Sequence, residues 1–273
     1  MRGMTQFAGK VAVVTGGASG IGKAIAHRLV AEGMTVIIAD IERESLDSTA
    51  IEIGAIGIRT DVSSFESVQS LAHEVQRRFG RVDLMCNNAG VASTARVADM
   101  SLTDWNWLLG VNLWGVIHGI KAFLPLLKAN TDGGHLVNTA SVSGFHVTPE
   151  LGGYTVSKFA VMALSETLAL ELEAAGVEVG MTILCPGPVS THLGSSQRNR
   201  PDSLSGGAFV DQDLEAQDGG GGVRWMNPDA VADVLLAAIR RGDLYAITHP
   251  EWAPIVRERH AQIEAAMGTA TFR

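Results

Sequence analysis

TGGASGIG, residues 15–22, joins a short β-branched run, KVAVVT (residues 10–15), to a stretch with apolar residues at helical spacing, residues 20–32. Glycines at such a turn let the backbone bend tightly and approach a pyrophosphate. The N-terminus of the helix that follows offers unpaired N–H groups to the negative charge. The glycines are spaced G-x-x-x-G-x-G rather than G-x-G-x-x-G, and a tight turn without chemical function is the alternative interpretation. The segment predicts a phosphate-binding strand–turn–helix unit.

The rest of the chain repeats this alternation of strand and helix. Strands are predicted at residues 10–15, 34–40, 56–60, 82–87, 135–141, 177–185 and 244–248, and helices at residues 20–32, 64–79, 102–128 and 154–175. Strands that are apolar throughout are expected when helices cover both faces of a sheet. The order predicts an α/β fold in one domain, residues 1–273, with a doubly wound parallel sheet of about seven strands.

Composition excludes several classes of protein. The formal net charge of −8 and the dispersed basic residues argue against nucleic-acid binding. Cys86 and Cys185 end predicted strands outside any Cys-x-x-Cys pair, which favours buried thiols in a reducing compartment over a metal or redox site. The N-terminus shows no signal peptide, and no apolar stretch approaches the roughly 18 residues of a membrane span. We therefore expect a cytoplasmic protein that binds neither metal, nucleic acid nor membrane.

Asp40 ends the second predicted strand, about 20 residues beyond the glycine turn, where a ribose-binding acid is expected. A carboxylate there accepts hydrogen bonds from the adenosine 2′- and 3′-hydroxyls and repels a 2′-phosphate, which predicts NAD rather than NADP. An ordinary aspartate at the start of a turn is the alternative interpretation, and the nearby Arg43 argues partly against a preference for NAD.

Tyr154 and Lys158 begin a predicted helix four residues apart, so their side chains share a face. The reference pKa of tyrosine is near 10, too high for a base at neutral pH, and a neighbouring cation stabilises the phenolate. Ser141 ends the strand before this helix. Tyr-x-x-x-Lys also occurs by chance on many helices, but this pattern predicts an acid–base tyrosine.

In their order along the chain, these motifs resemble those of the short-chain dehydrogenase/reductase superfamily, in its Rossmann-fold branch. The matching segments are TGGASGIG (15–22), Asp61-Val62, Asn87-Asn88-Ala89-Gly90, Asn112, Ser141, Tyr154 with Lys158, and PGPVST (186–191). The resemblance covers residues 10 to 191, and the ordered set is more specific than any one motif.

The resemblance implies a role for each segment. The implied cofactor contacts are Gly16, Ser19, Gly20, Ile21, Gly22, Asp40, Asp61, Val62, Asn88, Ala89, Gly90, Tyr154, Lys158, Pro186, Gly187, Val189 and Thr191. Tyr154 would be the general acid–base and Ser141 would bind the substrate oxygen. Lys158 would bind the nicotinamide ribose, and Asn112 would hold a water that completes a proton relay. The resemblance also implies a homo-oligomer, a dimer or a homotetramer.

Residues 194–222 are polar, glycine-rich and without period, and they directly follow Thr191. A long loop at this place predicts a substrate lid, with an inert surface insertion as the alternative. Leu193, Leu204 and Phe209 are apolar residues that could face a hydrophobic substrate. His146, between Ser141 and Tyr154, is a further candidate contact, although a loop histidine is more often solvated. The C-terminal part resembles bacterial dehydrogenases of bulky aryl or alicyclic alcohols.

The leading hypothesis is an NAD-dependent dehydrogenase whose partner is a small hydrophobic secondary alcohol or ketone. One alternative is an NADPH-dependent ketone reductase of the 3-oxoacyl type. It would normally have a basic residue near the glycine turn, where Ala18 and Ser19 stand. A second alternative is a non-catalytic NAD-binding regulator, which would have lost Tyr154, Lys158 or Ser141.

Overall fold

The computed structural model describes residues 3–213, 215 and 223–268. At its centre lies a seven-stranded sheet with the order β3-β2-β1-β4-β5-β6-β7, and every neighbouring pair is parallel. The strands are β1 (Val11–Thr15), β2 (Thr35–Asp40), β3 (Ile56–Arg59), β4 (Leu84–Asn87), β5 (Gly134–Thr139), β6 (Val179–Cys185) and β7 (Tyr245–Ile247). The predicted doubly wound parallel sheet is confirmed.

Helices cover both faces of the sheet. They are α1 (Gly20–Ala31), α2 (Arg43–Ile53), α3 (Phe65–Phe79), α4 (Leu102–Leu109), α5 (Gly115–Ala129), α6 (Gly152–Ala174), α7 (Pro228–Arg241) and α8 (Ala253–Gly268). Residues of α1, α2 and α7 form one apolar layer, and residues of α3, α5 and α6 form the other. Successive side chains of a strand point to opposite faces, so Val14 of β1 packs in the first layer and Val13 in the second.

The helix predicted over residues 102–128 is interrupted. A π-helical turn, Gly110–Trp114, separates α4 from α5, and such turns often occur at functional sites. A Cβ at Gly115 would lie 2.9 Å from a methyl carbon of Val62, so a glycine permits this close approach. The stretch Leu102–Ala129 is long and apolar enough by composition to span a membrane, yet α5 packs against α3, β4 and β5.

The order of the strands places the site. β1 lies between β2 and β4, so the chain reverses its direction of winding at β1 and opens a crevice at the carboxyl ends of these strands. The turn after β1, the acid that ends β2, and the segments after β4, β5 and β6 all meet at this edge.

Candidate active site

A cavity of about 1370 Å³ opens at the carboxyl ends of the strands. All the residues that sequence analysis predicts at the cofactor line it, from Gly16 in the first turn to Thr191 after β6. Ser141 and three of the predicted substrate residues, His146, Leu193 and Leu204, line it as well. Asn112 and Phe209 are absent from its lining. The cavity therefore unites segments that are far apart in the sequence.

The glycine turn is shaped for close approach. Gly16 has a positive φ of +64°, and a Cβ there would lie 2.8 Å from the Ala89 backbone. A Cβ at Gly22 would lie 2.0 Å from the carbonyl oxygen of Gly16, so only glycine fits. Ser19 is the N-cap of α1, yet its side chain makes no capping hydrogen bond. The Ser19 side chain thus does not cap the N–H groups in the first turn of α1. A phosphate site requires N–H groups that are not capped in this way.

Asp40 is held by the backbone around it. Its carboxylate accepts hydrogen bonds from the N–H groups of Ala18 and Glu42, each at 3.1 Å. Burial raises the pKa of the Asp40 carboxyl, and the two N–H donors partly oppose this shift. Arg43, the residue that argued against a preference for NAD, forms an ion pair with Asp47 at 3.0 Å and does not line the cavity. Asp40 is thus the residue of β2 that places a charged group at the cavity.

Tyr154 lies in the first turn of α6, and Lys158 follows one turn later. The Lys158 Nζ atom is 5.5 Å from the centre of the Tyr154 ring and donates a hydrogen bond to the Thr139 carbonyl at 2.9 Å. Burial raises the pKa of the Tyr154 phenol, and the adjacent Ser141 hydroxyl lowers it. Burial also lowers the pKa of Lys158 to about 8. In the protein alone, burial therefore raises the pKa of the Tyr154 phenol more than the Ser141 hydroxyl lowers it.

Ser141 begins the short 3₁₀ turn that follows β5. Its hydroxyl donates to the Pro186 carbonyl at 3.3 Å and accepts from the N–H of Ser143 at 3.1 Å. These two bonds fix the serine between β5 and the segment that follows β6. The Ser141 hydroxyl is thereby aimed at the same region of the cavity as Tyr154.

Asn112 does not line the cavity. Its fully buried amide accepts from the N–H of Val91 at 2.8 Å and donates to the Val91 carbonyl at 2.9 Å and to Ser157 Oγ at 3.1 Å. The π turn directs this side chain inward, where it fixes the chain beside Gly90. A Cβ at Gly90 would lie 3.5 Å from Asn112 Oδ1 and 3.8 Å from Lys158 Nζ. The predicted water-binding role stays a prediction.

Phe209 does not line the cavity either, and its predicted contact with substrate stays a prediction. Its ring is buried and packs edge-on against Trp107 with centroids 5.9 Å apart. The Arg200 guanidinium lies over both rings and forms an ion pair with Asp104 at 2.7 Å, with both charged side chains buried. This buried ion pair and the apolar contact hold the segment against α4.

The predicted lid has more fixed structure than its composition suggested. It contains two 3₁₀ segments, His192–Asn199 and Asp202–Leu204. Arg198 and Asn199 each donate to one carboxylate oxygen of Glu42 at 2.7 Å, so the segment is bridged to the end of β2. Residue 214 and residues 216–222 of the predicted lid lie outside the described residues.

Several side chains at the site carried no prediction. Glu42, Arg198, Trp225 and Trp252 line the cavity. The two tryptophans come from the C-terminal part, for which sequence analysis offered only a general resemblance. His146, predicted as a candidate substrate contact with a solvated loop residue as the alternative, is buried against Trp252.

Comparison with known proteins gives extensive matches. Residues 10–202 match the family described as short chain dehydrogenase. A short chain dehydrogenase/reductase from Burkholderia phymatum, solved in complex with NAD, is 39% identical, with a TM-score of 0.89 and coverage of 96% of this chain and 97% of that one. The CLA biosynthesis dehydrogenase/reductase of Lactiplantibacillus plantarum is 31% identical over 271 residues, 95% of each chain. An alcohol dehydrogenase from the archaeon Thermococcus sibiricus, complexed with 5-hydroxy-NADP, is 30% identical, with a TM-score of 0.70 over 84% of this chain and 90% of that one.

Proposed function

The chain belongs to the short-chain dehydrogenase/reductase family and is an oxidoreductase. We propose that it transfers a hydride between NAD and a hydrophobic secondary alcohol or its ketone. The observation that carries the proposal is the meeting of Tyr154, Lys158 and Ser141 in one cavity with the residues predicted at the cofactor. A regulator without chemistry would not need this intact set.

The chain's own residues fit a dinucleotide. The N-terminus of α1 suits the pyrophosphate because Ser19 leaves its first turn uncapped and Gly16 and Gly22 exclude side chains there. Asp61 and Val62 suit the adenine ring, and the segment from Pro186 to Thr191 suits the carboxamide of the nicotinamide. When bound, NAD supplies the acceptor or donor of the hydride.

The acid–base work falls to Tyr154. In the direction of oxidation, Ser141 orients the alcohol oxygen and the Tyr154 oxygen takes its proton; in reduction, Tyr154 returns that proton. Lys158 lies one helical turn from Tyr154 and, when protonated, favours the phenolate. Catalysis of this kind typically contributes about 10²–10⁴-fold to the rate.

Asp40 supports NAD as the cofactor. A carboxylate at the end of β2 accepts ribose hydroxyls and repels a 2′-phosphate. Both cofactors occur among the relatives, since one neighbour was solved with NAD and another with a derivative of NADP. The charge at the end of β2 is therefore the feature on which our choice rests, because Arg43 is engaged by Asp47.

The substrate side of the cavity supports a hydrophobic alcohol. Leu193, Leu204, Trp225 and Trp252 contribute apolar surface to it. We also propose that the chain forms a homo-oligomer, because enzymes of the short-chain dehydrogenase/reductase family often oligomerise.

A simple assay tests this function. The purified protein is mixed with NAD or NADP and a panel of aryl and alicyclic secondary alcohols, and absorbance at 340 nm is followed. We expect NAD to be reduced with at least one of these alcohols and NADP to be reduced much more slowly. Faster reduction of NADP would contradict the role of Asp40, and no reduction of either would contradict the proposed function.

A further inference from the structure

Two stacked rings form one wall of the cavity. His146 follows the turn that Ser141 begins, and Trp252 ends the 3₁₀ turn Pro250–Trp252. Their ring centres are 4.6 Å apart with an angle of 38° between the planes. Both residues line the cavity together with Tyr154. We call this pair, His146 and Trp252, the aromatic wall.

One atom of the aromatic wall lacks a partner. His146 is only 8% exposed, and its Nε2 atom is shielded from solvent without a hydrogen bond to any residue that the structure describes. Buried polar side-chain atoms in folded proteins nearly always have a partner, so an exception calls for an explanation. Since the ring borders the cavity beside the acid–base residue, a substrate group is the partner that the geometry offers.

The chemistry of the other ring nitrogen defines what that partner must be. His146 Nδ1 lies 3.4 Å from the Val147 carbonyl oxygen, which can only accept, so Nδ1 is the nitrogen that carries the proton. Burial lowers the pKa of the imidazole, which keeps the ring neutral. In this tautomer Nε2 has a lone pair and no proton. Its missing partner is therefore a hydrogen-bond donor.

The C-terminal segment that carries Trp252 is fixed relative to the reaction site. Arg224 pairs with Glu251 at 2.8 Å and donates to the Thr248 carbonyl at 2.7 Å. The His249 ring accepts from the N–H of Gly187 at 3.1 Å and donates to the Arg224 carbonyl at 2.9 Å. Gly187 belongs to the segment that we propose at the nicotinamide, so a group bound at the aromatic wall has a defined position relative to the reacting carbon.

We propose that His146 Nε2 accepts a hydrogen bond from a hydroxyl that the substrate carries in addition to its reacting alcohol or ketone, while the ring of the substrate lies against Trp252. The substrate class is thus a hydroxylated aryl or alicyclic alcohol, and this inference rests on the proposed function. The proposal requires that the partly exposed Trp252 ring, which packs on the imidazole, shifts when the substrate binds and opens Nε2 to it. Trp225, on the same cavity, has an indole N–H without a partner among the described residues, and this donor suits the oxygen of such a hydroxyl.

The test compares matched pairs of substrates. Each pair consists of a 1-phenylethanol with a hydroxyl at ring position 2, 3 or 4 and the analogue with a methyl group there, which has a similar size and no donor. We expect kcat/KM of the wild type with NAD to favour one hydroxylated isomer about tenfold or more, because a site built for a hydroxyl rejects the analogue without it.

Three variants identify the residue responsible. His146→Phe keeps the stacked ring and removes the acceptor, so the hydroxyl-to-methyl ratio should fall to near one through loss of kcat/KM on the hydroxylated substrate. His146→Gln restores an acceptor oxygen and should recover part of the ratio. His73→Phe changes an exposed histidine on α3 and should leave the ratio as it is in the wild type.

The outcomes separate this inference from the proposed function. A wild-type ratio near one for all three pairs, or equal ratios in the wild type and His146→Phe, overturns the inference while NAD-linked activity remains. If His146→Phe does not fold, as judged by its melting curve, the wild-type ratio and His146→Gln decide. A wild type that oxidises none of the six alcohols contradicts the proposed function and the inference together.

Discussion

Lys158→Met should stabilise the protein without cofactor at neutral pH, although it removes a group of the active site. Lys158 is 3% exposed, and burial lowers the pKa of its ammonium from 10.5 to about 8. A shift of that size means that the charged lysine lowers the free energy of unfolding by about 3 kcal/mol. Methionine has no charge and a similar length, but it loses the hydrogen bond to the Thr139 carbonyl, worth about 1–2 kcal/mol. The net gain is about 1–2 kcal/mol.

The pH dependence of this gain has a definite sign. Between pH 8 and pH 10.5 the unfolded chain binds the lysine proton and the folded protein does not, so the stability of the wild type rises with pH across this window. Below pH 8 the full cost of the buried charge is present. The advantage of Lys158→Met should therefore be largest near pH 7 and should shrink towards pH 10.

Thermal unfolding of both proteins without cofactor, at pH 7 and at pH 9.5, measures this effect. Near pH 7 the melting temperature of Lys158→Met should be higher by roughly 2–8 °C. Lys121→Met, on an exposed site of α5, controls for the general loss of a lysine. A variant that is less stable than the wild type at pH 7, or a difference that does not change with pH, would refute the reasoning.

Three further predictions concern other parts of the site. Asp40→Ala should lower the preference for NAD over NADP by about 1.5–3 kcal/mol in kcat/KM, and a wild type that uses both equally would contradict our interpretation of Asp40. Arg200→Ala leaves the buried Asp104 without its cation and should cost about 3–5 kcal/mol in urea unfolding; a loss under about 1 kcal/mol would count against the ion pair. Arg198→Ala removes the bridge to Glu42 and should speed NADH dissociation by up to about fivefold in stopped flow, because a partly exposed pair is worth at most about 1 kcal/mol; an unchanged rate would argue against the bridge.

The fold was predictable because its strands are apolar on both faces. The turn after β1 and the alternation of strand and helix were enough to predict the doubly wound sheet, and the predicted strands lie close to the observed ones. The sequence analysis missed α2, α7 and α8. α7 buries a stripe that includes Val231, Leu235 and Ile239 at helical spacing, a signal that was present but not used. α2 buries a stripe with Leu46, Ala50 and Ile53 at helical spacing, a signal that was present but not used. α8 buries none of its residues, so its sequence has no clear period to detect.

Most of the cofactor residues could be predicted because they lie at the end of a strand or just beyond it. Parallel order brings these ends to one edge, so position in the chain determines position in space. Side-chain direction was harder to predict. Asn112 turns inward because of a π turn. The position of the Phe209 side chain depends on the buried ion pair of Asp104 and Arg200, which lie 96 residues apart in the sequence. A single sequence carries no signal that would pair them.

The pocket wall was the least predictable part. Hydrogen bonds of Arg224 and His249 hold Trp252 at the cavity. They connect two C-terminal segments to each other and to the segment after β6. These contacts depend on tertiary packing and leave no periodic pattern. The burial of His146 depends on the same packing, because Trp252 covers its ring.

Tyr154→Phe tests the central claim most directly. The variant loses one oxygen from a buried ring, so its fold and its binding of NADH, followed by fluorescence, should persist. With the best alcohol found for the wild type, we predict that kcat in the reduction of NAD at 340 nm falls by at least about 10²-fold, the contribution of general acid–base catalysis. A variant that binds NADH and keeps kcat within tenfold of the wild type would contradict the role of Tyr154 as the acid–base.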